Sequence, residues 1–284
     1  MEKSPLKIGI LNVMHDKADT KTRLQHVLTH TAIPVDLHFY YPMTHYAGRT
    51  VPEAVSSILD PLDIHEVATM DGFIITGSPI ETLEFDQVHY IAEVRTLLKT
   101  LSQHVPNQLY LCWGGMVALN YFFGISKLIL PHKLFGVYPQ TILEPHPLLK
   151  GLKNDFKSPH ARYAEMDVRG IHADPRLTIN ATTTKGKLFM VTEPTDTQTF
   201  VFHTSNTIGG DWIQNTSVKS LLIQRSTMFA LNIIIITKMI TIIPSSIGRK
   251  RNERFLTIGF NMSRIIAMTI IRKINQLIWR LLIW

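Results

Sequence analysis

Four strand-like runs, separated by helix-like segments, dominate the first 111 residues, and this alternation constrains the fold more than any other feature of the chain. Leu6–Val13 reads as a buried strand, followed by a polar stretch to Thr20 and a helix across Arg23–Leu28. Val35–Tyr40 alternates as a second strand. A polar loop around Thr44–Thr50 and a helix near Pro52–Leu59 come next. Gly72–Gly77 forms a third strand ending in a glycine turn, residues Tyr90–Leu101 have helical spacing, and a short fourth run ends at Cys112. Strands that alternate with helices predict a parallel sheet covered by helices on both faces. Ligands of such sheets sit at the carboxyl ends of the strands. The polar segments after Val13, Thr76 and Leu111 are therefore expected to meet in one crevice.

Cys112 is the one cysteine in 284 residues, and it stands where strand gives way to helix in Leu109-Tyr110-Leu111-Cys112-Trp113-Gly114-Gly115-Met116. A lone cysteine is by default a small core residue. At a sharp strand-to-helix turn, however, a thiol projects from the sheet edge, and the first helix amides lower its pKa and can stabilise an oxyanion. Cys112 is thus a candidate nucleophile, with the backbone amides near Trp113 as oxyanion donors. Gly114 and Gly115 are expected to let the backbone turn tightly and approach a substrate.

Charge divides the chain in two. Residues 204–284 carry 11 basic and two acidic residues, which leaves 18 basic and 20 acidic for the first 203. The formal net charge of +7 therefore comes from the tail, and the first 203 residues have the balance of an ordinary globular protein with no call for a nucleic-acid partner. The apolar runs of the tail, such as Ile233–Ile236, fall far short of the roughly 18 residues a membrane span needs. One unpaired cysteine excludes a disulfide framework and fits a reducing cytoplasm. The histidines show no metal-ligand spacing, so no metal is expected.

Four segments together carry a family resemblance: PLKIGILNVMHDK (5–17), DGFIITGSPIETLEFDQVHY (71–90), LCWGGMVALNYFFGISKLILPHKLFGVY (111–138) and EPHPLLKGLKNDFKSPHARYAE (144–165). In this order the chain resembles the homoserine O-acyltransferases of methionine biosynthesis. The resemblance implies a flavodoxin-like α/β fold of the class I glutamine-amidotransferase type, spanning residues 1–203. It also implies that Cys112 accepts an acyl group from acyl-CoA as a thioester and passes it to an amino-acid hydroxyl. No cofactor is implied, because acetyl-CoA is a substrate, and a homodimer is left open.

Lys133 matches the family lysine that contacts substrate, and a single ammonium on a flexible stem suits a carboxylate or coenzyme contact. Glu81 falls where the family sets donor preference, glutamate going with acetyl-CoA and glycine with succinyl-CoA. A carboxylate in the acyl pocket would repel the free carboxylate of a succinyl group, so acetyl transfer is expected, with succinyl-CoA as the alternative. The bland role for Glu81 is to cap its own turn. Ala161 replaces a serine that the family places at the acceptor site. This change makes L-serine, the acceptor of cysteine biosynthesis, an alternative to L-homoserine.

The family's base, a His-x-Glu pair in a motif HxEYD, should follow the strand Thr199–Phe202. The chain instead reads His203-Thr204-Ser205-Asn206-Thr207-Ile208, and 19 isoleucines follow in the 81 residues from 204 to 284. Regrouping the codons by one base can turn His203–Gly209 into His-Phe-Glu-Tyr-Asp-Arg, and Asp211–Ser220 into a segment with the family's Glu-Tyr-x-Arg spacing. Residues 204–284 are therefore read as translated out of frame. A lost base would also leave His203 one residue before the working histidine, and a one-residue change of register turns a side chain to the opposite face. His203 is accordingly a compromised base, and His160 is expected to be a structural or pocket hydrogen bonder. Two other readings compete. The first is a glutamine amidotransferase, disfavoured by the lack of a synthetase domain. The second is a basic-tailed membrane or nucleic-acid binder without enzyme activity, which rests on the tail alone.

Overall fold

The computed structural model describes residues 4–29 and 34–203. The elements run β1 (Leu6–Leu11), α1 (Lys17–Thr29), β2 (Val35–Tyr41), α2 (Glu53–Ser56), β3 (Asp60–Pro61), α3 (Ile64–Val67), β4 (Gly72–Ile75), α4 (Ile91–His104), β5 (Gln108–Leu111) and α5 (Trp113–Phe123). They continue with β6 (Lys127–Ile142), β7 (Lys157–Met166), α6 (Val168–Ala173), β8 (Thr178–Thr183), β9 (Leu188–Thr192) and β10 (Gln198–Val201). The strands lie in the order β3-β2-β1-β4-β5-β10-β9-β8-β6-β7. Pairing is parallel from β3 through β10 and antiparallel from β10 through β7.

The central strands are short and buried at every residue, as expected where both faces of a parallel sheet are covered. Their side chains alternate between two cores. Phe73, Ile75, Tyr110 and Phe200 join Val94, Leu97, Leu98 and Leu101 of α4 and Met116 and Val117 of α5 on one face. Ile8, Ile10, Ile74, Leu109 and Val201 join Leu24, Val27 and Leu28 of α1 on the other. The predicted α/β architecture, with helices on both faces, is the one observed.

The differences have local causes. α1 begins at Lys17, six residues before the expected start, because the Asp16 carboxylate accepts the Asp19 amide at 2.9 Å and caps a turn that looked merely polar. The helix expected over Pro52–Leu59 shortens to one turn. The antiparallel half was not anticipated: β6 is 16 residues long, mostly half-buried or exposed, and slips register against β7 between Ile129 and Leu134. Pro131 lies in that interval and cannot donate to a ladder, which suits a bulge. The expectations for residues 204–284 lie outside the described residues.

Candidate active site

β5 delivers the chain to Cys112, which adopts φ 49° and ψ −110° and caps the N-terminus of α5. A left-handed φ at a non-glycine residue is strained and is tolerated only where the surroundings enforce it. Here the Cys112 amide donates to Val201 O at 2.8 Å, and the Met116 amide donates to Cys112 O at 3.0 Å. The turn is thereby pinned on one side to β10 and on the other to the first turn of α5.

The two glycines after the cysteine have a different task from the one expected. Neither adopts a positive φ; the cysteine carries that strain itself. A Cβ on Gly114 would fall 2.7 Å from Ile75 O and 2.9 Å from Thr76 O, so the missing side chain lets α5 press onto the end of β4. On Gly115 it would meet Tyr110 O at 3.3 Å. The glycine that borders the nucleophile is Gly77, where a Cβ would stand 3.1 Å from the Cys112 Cβ and 3.7 Å from Met14 Sδ. Thr76 Oγ1 accepts from the Val13 amide at 2.9 Å and donates to Gly77 O at 3.2 Å, tying the loops after β1 and β4 together. The three polar segments do converge.

Burial dominates the thiol's acidity and pushes it up to about 11; the Arg162 guanidinium opposes this, Glu81 adds to it, the Trp113 amide hydrogen bond opposes it, and Glu165 adds to it. The expectation that helix amides would make the thiol acidic is therefore corrected. The amide contributes in that direction, but removing the thiolate from water outweighs it. At neutral pH the thiol holds its proton and a base must take it.

Glu81 is buried, and its Oε1 accepts the Tyr163 amide at 3.1 Å, 82 residues along the chain, so it is not a cap of its own turn. Its carboxylate acts electrostatically on both Cys112 and Lys127. Lys133 is exposed on β6 and stands 5.3 Å from the Phe135 ring centroid and 5.0 Å from that of Tyr163. Ala161 lies opposite Phe135 in the β6–β7 ladder, partly exposed, between buried His160 and Arg162. Trp113 is fully buried, with its indole N–H unpartnered among the described residues. Its ring meets Tyr90 edge to face at 5.9 Å.

His160 is buried, with Nδ1 2.7 Å from an Arg162 NH group and Nε2 3.2 Å from Gln140 Nε2. Burial, with Arg162 and His203 beside it, holds its pKa well below the ordinary histidine range, so it is a neutral hydrogen bonder as expected. His203 is the last described residue and is buried. The residues that reading the sequence did not single out are Gly77, Arg162 and Glu165; Arg162 and Glu165 form a buried ion pair at 2.8 Å. An arginine three residues before a glutamate looks like any solvated pair until its burial is known. Among the described residues no group of three or more His, Cys, Asp or Glu side chains could hold a metal ion.

A cysteine at a strained strand-to-helix turn in a parallel sheet defines a class. The fold is that of a class I glutamine amidotransferase, as superposition on two solved structures shows. A glutamine amidotransferase from Thermotoga maritima gives a TM-score of 0.57 at 9% identity, covering 85% of this chain and 100% of that one. The glutaminase domain of Trypanosoma brucei CTPS with bound acivicin gives 0.54 at 14%, covering 88% and 96%. Within that class the chain belongs to the homoserine O-succinyltransferase family, whose model matches residues 2–206. Among its relatives, a serine O-acetyltransferase of Lactobacillus acidophilus is 53% identical over 186 residues, 66% of this chain and 70% of that protein. A homoserine O-acetyltransferase of Bifidobacterium adolescentis is 36% identical over 176 residues, 62% and 51%. One of Thermotoga petrophila is 34% identical over 197 residues, 69% and 65%. The chain thus spans between about half and 70% of the length of these relatives. No helix among the described residues is long and apolar enough to cross a membrane.

Proposed function

We propose that this chain derives from an acetyltransferase in which Cys112 carries the acetyl group from acetyl-CoA to the hydroxyl of an amino acid. The observation that carries the proposal is the strained φ of Cys112 at the β5–α5 junction, enforced from β10 and from the first turn of α5. In the first half-reaction the Cys112 sulfur gives up its proton to a base and attacks the acetyl carbonyl carbon. The coenzyme's C–S bond breaks, and its sulfur leaves and takes a proton. In the second, the acceptor hydroxyl loses its proton to a base and attacks the Cys112 thioester, which releases the thiol. The Trp113 amide, which hydrogen-bonds the sulfur, suits the oxyanion of both tetrahedral intermediates.

Acetyl rather than succinyl as the donor group is supported by buried Glu81, which already acts on Cys112 and would repel a second carboxylate. For the acceptor, the relative at 53% identity is named for serine and those at 32–36% for homoserine. Higher identity, together with Ala161 in place of serine, favours L-serine over the L-homoserine that the family resemblance implied. Homoserine is the second reading, supported by the larger number of named relatives. The localisation that goes with either reading is the cytoplasm.

The family match ends at 206, and the glutamate expected two residues after the base is missing from the sequence. We read residues 204–284 as out of frame and the chain as impaired in turnover for lack of a base. Two measurements test these readings. Acetyl-CoA cleavage, followed as free coenzyme with L-serine and with L-homoserine, should respond more strongly to serine; equal or greater stimulation by homoserine reverses the acceptor. Sequencing the nucleotides around codon 203 should reveal a one-base change that restores a His-x-Glu pair. A continuous frame in independent isolates, or full turnover by the chain as it stands, overturns the account of the tail.

A further inference from the structure

Arg162 is one of the largest fully buried side chains of the protein, and its environment is unusual. One terminal nitrogen donates to Phe202 O at 3.0 Å and approaches His160 Nδ1 at 2.7 Å. The other donates to Glu165 Oε2 at 2.8 Å and to Leu188 O at 2.9 Å. Glu165 in turn accepts the Leu188 and Met166 amides, each at 3.3 Å. Nε has no partner among the described residues.

A buried ion pair of this kind is not a good way to gain stability. Desolvating both charges is costly, and apolar residues of similar volume often do as well or better. The positions it ties down suggest another use. Phe202 is the residue before His203 and the residue after Val201, whose carbonyl accepts the Cys112 amide. One guanidinium therefore holds the chain at the residue before His203, one residue beyond the carbonyl that pins the nucleophile. It does so from β7, a strand of the antiparallel half.

We infer that Arg162, held by Glu165, is a positioning residue that fixes the end of β10, and through the Val201 carbonyl the Cys112 turn, so that the charges of the pair bear on the thiol. The inference rests on the proposed role of Cys112 but concerns the thiol itself, whichever acyl group it carries. The charged groups in play are few. Arg162 and Glu165 act from β7 and Glu81 from the loop after β4; His160 lies against the guanidinium, His203 acts on His160, and Glu81 acts on Lys127. The direction in which each partner moves the thiol supports the geometry: Arg162 lowers its pKa, and Glu165 raises it.

The experiment uses the whole chain and takes advantage of its single cysteine. The rate of alkylation by iodoacetamide is followed by intact mass across pH, so that every modification reports on Cys112. Arg162→Gln should move the alkylation midpoint upward and slow the reaction at pH 8 by about five- to tenfold, while Glu165→Gln should move the midpoint downward and speed it by about two- to fivefold. Opposite shifts from the two halves of one ion pair are not what loosened packing produces, since loosening exposes the thiol and moves both variants the same way. Shifts in the same direction, or no shift in a variant whose circular dichroism matches the parent, overturn the inference. If Arg162→Gln fails to fold, Glu165→Gln decides alone: a lower midpoint supports the inference, and an unchanged or higher one overturns it. Alkylation needs no acyl donor, so the outcome is separable from the proposed function. A thiol that shifts as stated, yet takes no label from acetyl-CoA even when the reading frame after residue 203 is restored, refutes the acetyltransferase reading and leaves this one standing.

Discussion

The parallel and antiparallel halves of the sheet contribute different things to one site. In the parallel half, β4 and β5 are buried at every residue, and the loops after β1, β4 and β5 are bound together at their carboxyl ends. That half supplies the rigid turn that holds the sulfur. In the antiparallel half, β6 is only half-buried and slips register, while β7 turns Arg162 and Glu165 inward beside the partly exposed Ala161 and the exposed Tyr163. That half supplies charge and a partly exposed surface. Such a division lets the fold fix the nucleophile by packing in one half, while a buried charged pair reaches the same region from the other.

The comparison can be broken first at the sulfur. Cys112→Ala should abolish incorporation of label from acetyl-CoA altogether while leaving the thermal unfolding midpoint close to that of the parent. Label retained at any other residue would end the claim that the parallel half delivers the nucleophile. The acidity of the thiol gives the next largest effect. Its pKa of about 11 lies above an unperturbed 9.0, so the thiolate is scarcer in the folded chain than in the unfolded one at any pH below both values. At pH 8 the folded chain should react with iodoacetamide about a hundredfold more slowly than the same chain in urea, and the gap should close as pH rises through 11. Equal rates would mean that water reaches the sulfur freely.

Packing beneath the turn can be tested with Gly114→Ala. Its Cβ would have to fit 2.7 Å from a backbone carbonyl of β4, where neither partner is a flexible side-chain tip. Unfolding in urea should show a loss of about 1–3 kcal/mol. Gly115→Ala, which meets its nearest atom at 3.3 Å, should lose distinctly less. Comparable losses would show that α5 is not pressed against β4 in the way described.

The parallel half was the legible half. Buried strands ending in turns, and the switch from strand to helix at Cys112, leave a strong imprint because two covered faces demand apolar residues at every position. The imprint fades at capped starts such as Lys17, where the deciding interaction comes from the side chain of Asp16. It disappears in β6, whose irregular burial has no period of two to detect. For the site the limit was of another kind. Cys112 and the converging loops follow from pattern, and Glu81, Lys133 and Ala161 entered through family resemblance. Arg162 and Glu165 carry no local signal, because nothing in an Arg-x-x-Glu spacing says that both charges are out of water.

The smaller effects belong to the surface where the halves meet. Glu81→Gly removes the carboxylate that acts on Cys112 and accepts the Tyr163 amide. Coenzyme release from succinyl-CoA should then rise about 10- to 100-fold relative to acetyl-CoA, since one unfavourable charge contact in a partly desolvated pocket is removed. An unchanged ratio would place the acyl pocket away from β7. Ala161→Ser is the gentlest probe. It adds a hydroxyl on a residue that already has some exposed surface, so folding should be unaffected. If this position faces the acceptor, the ratio of homoserine- to serine-stimulated coenzyme release should rise by about tenfold, within the 1–3 kcal/mol that one methylene or one new polar contact can contribute. A ratio that stays fixed, with both acceptors still active, would move acceptor choice off the antiparallel half and onto the loops of the parallel one, where the sulfur already lies.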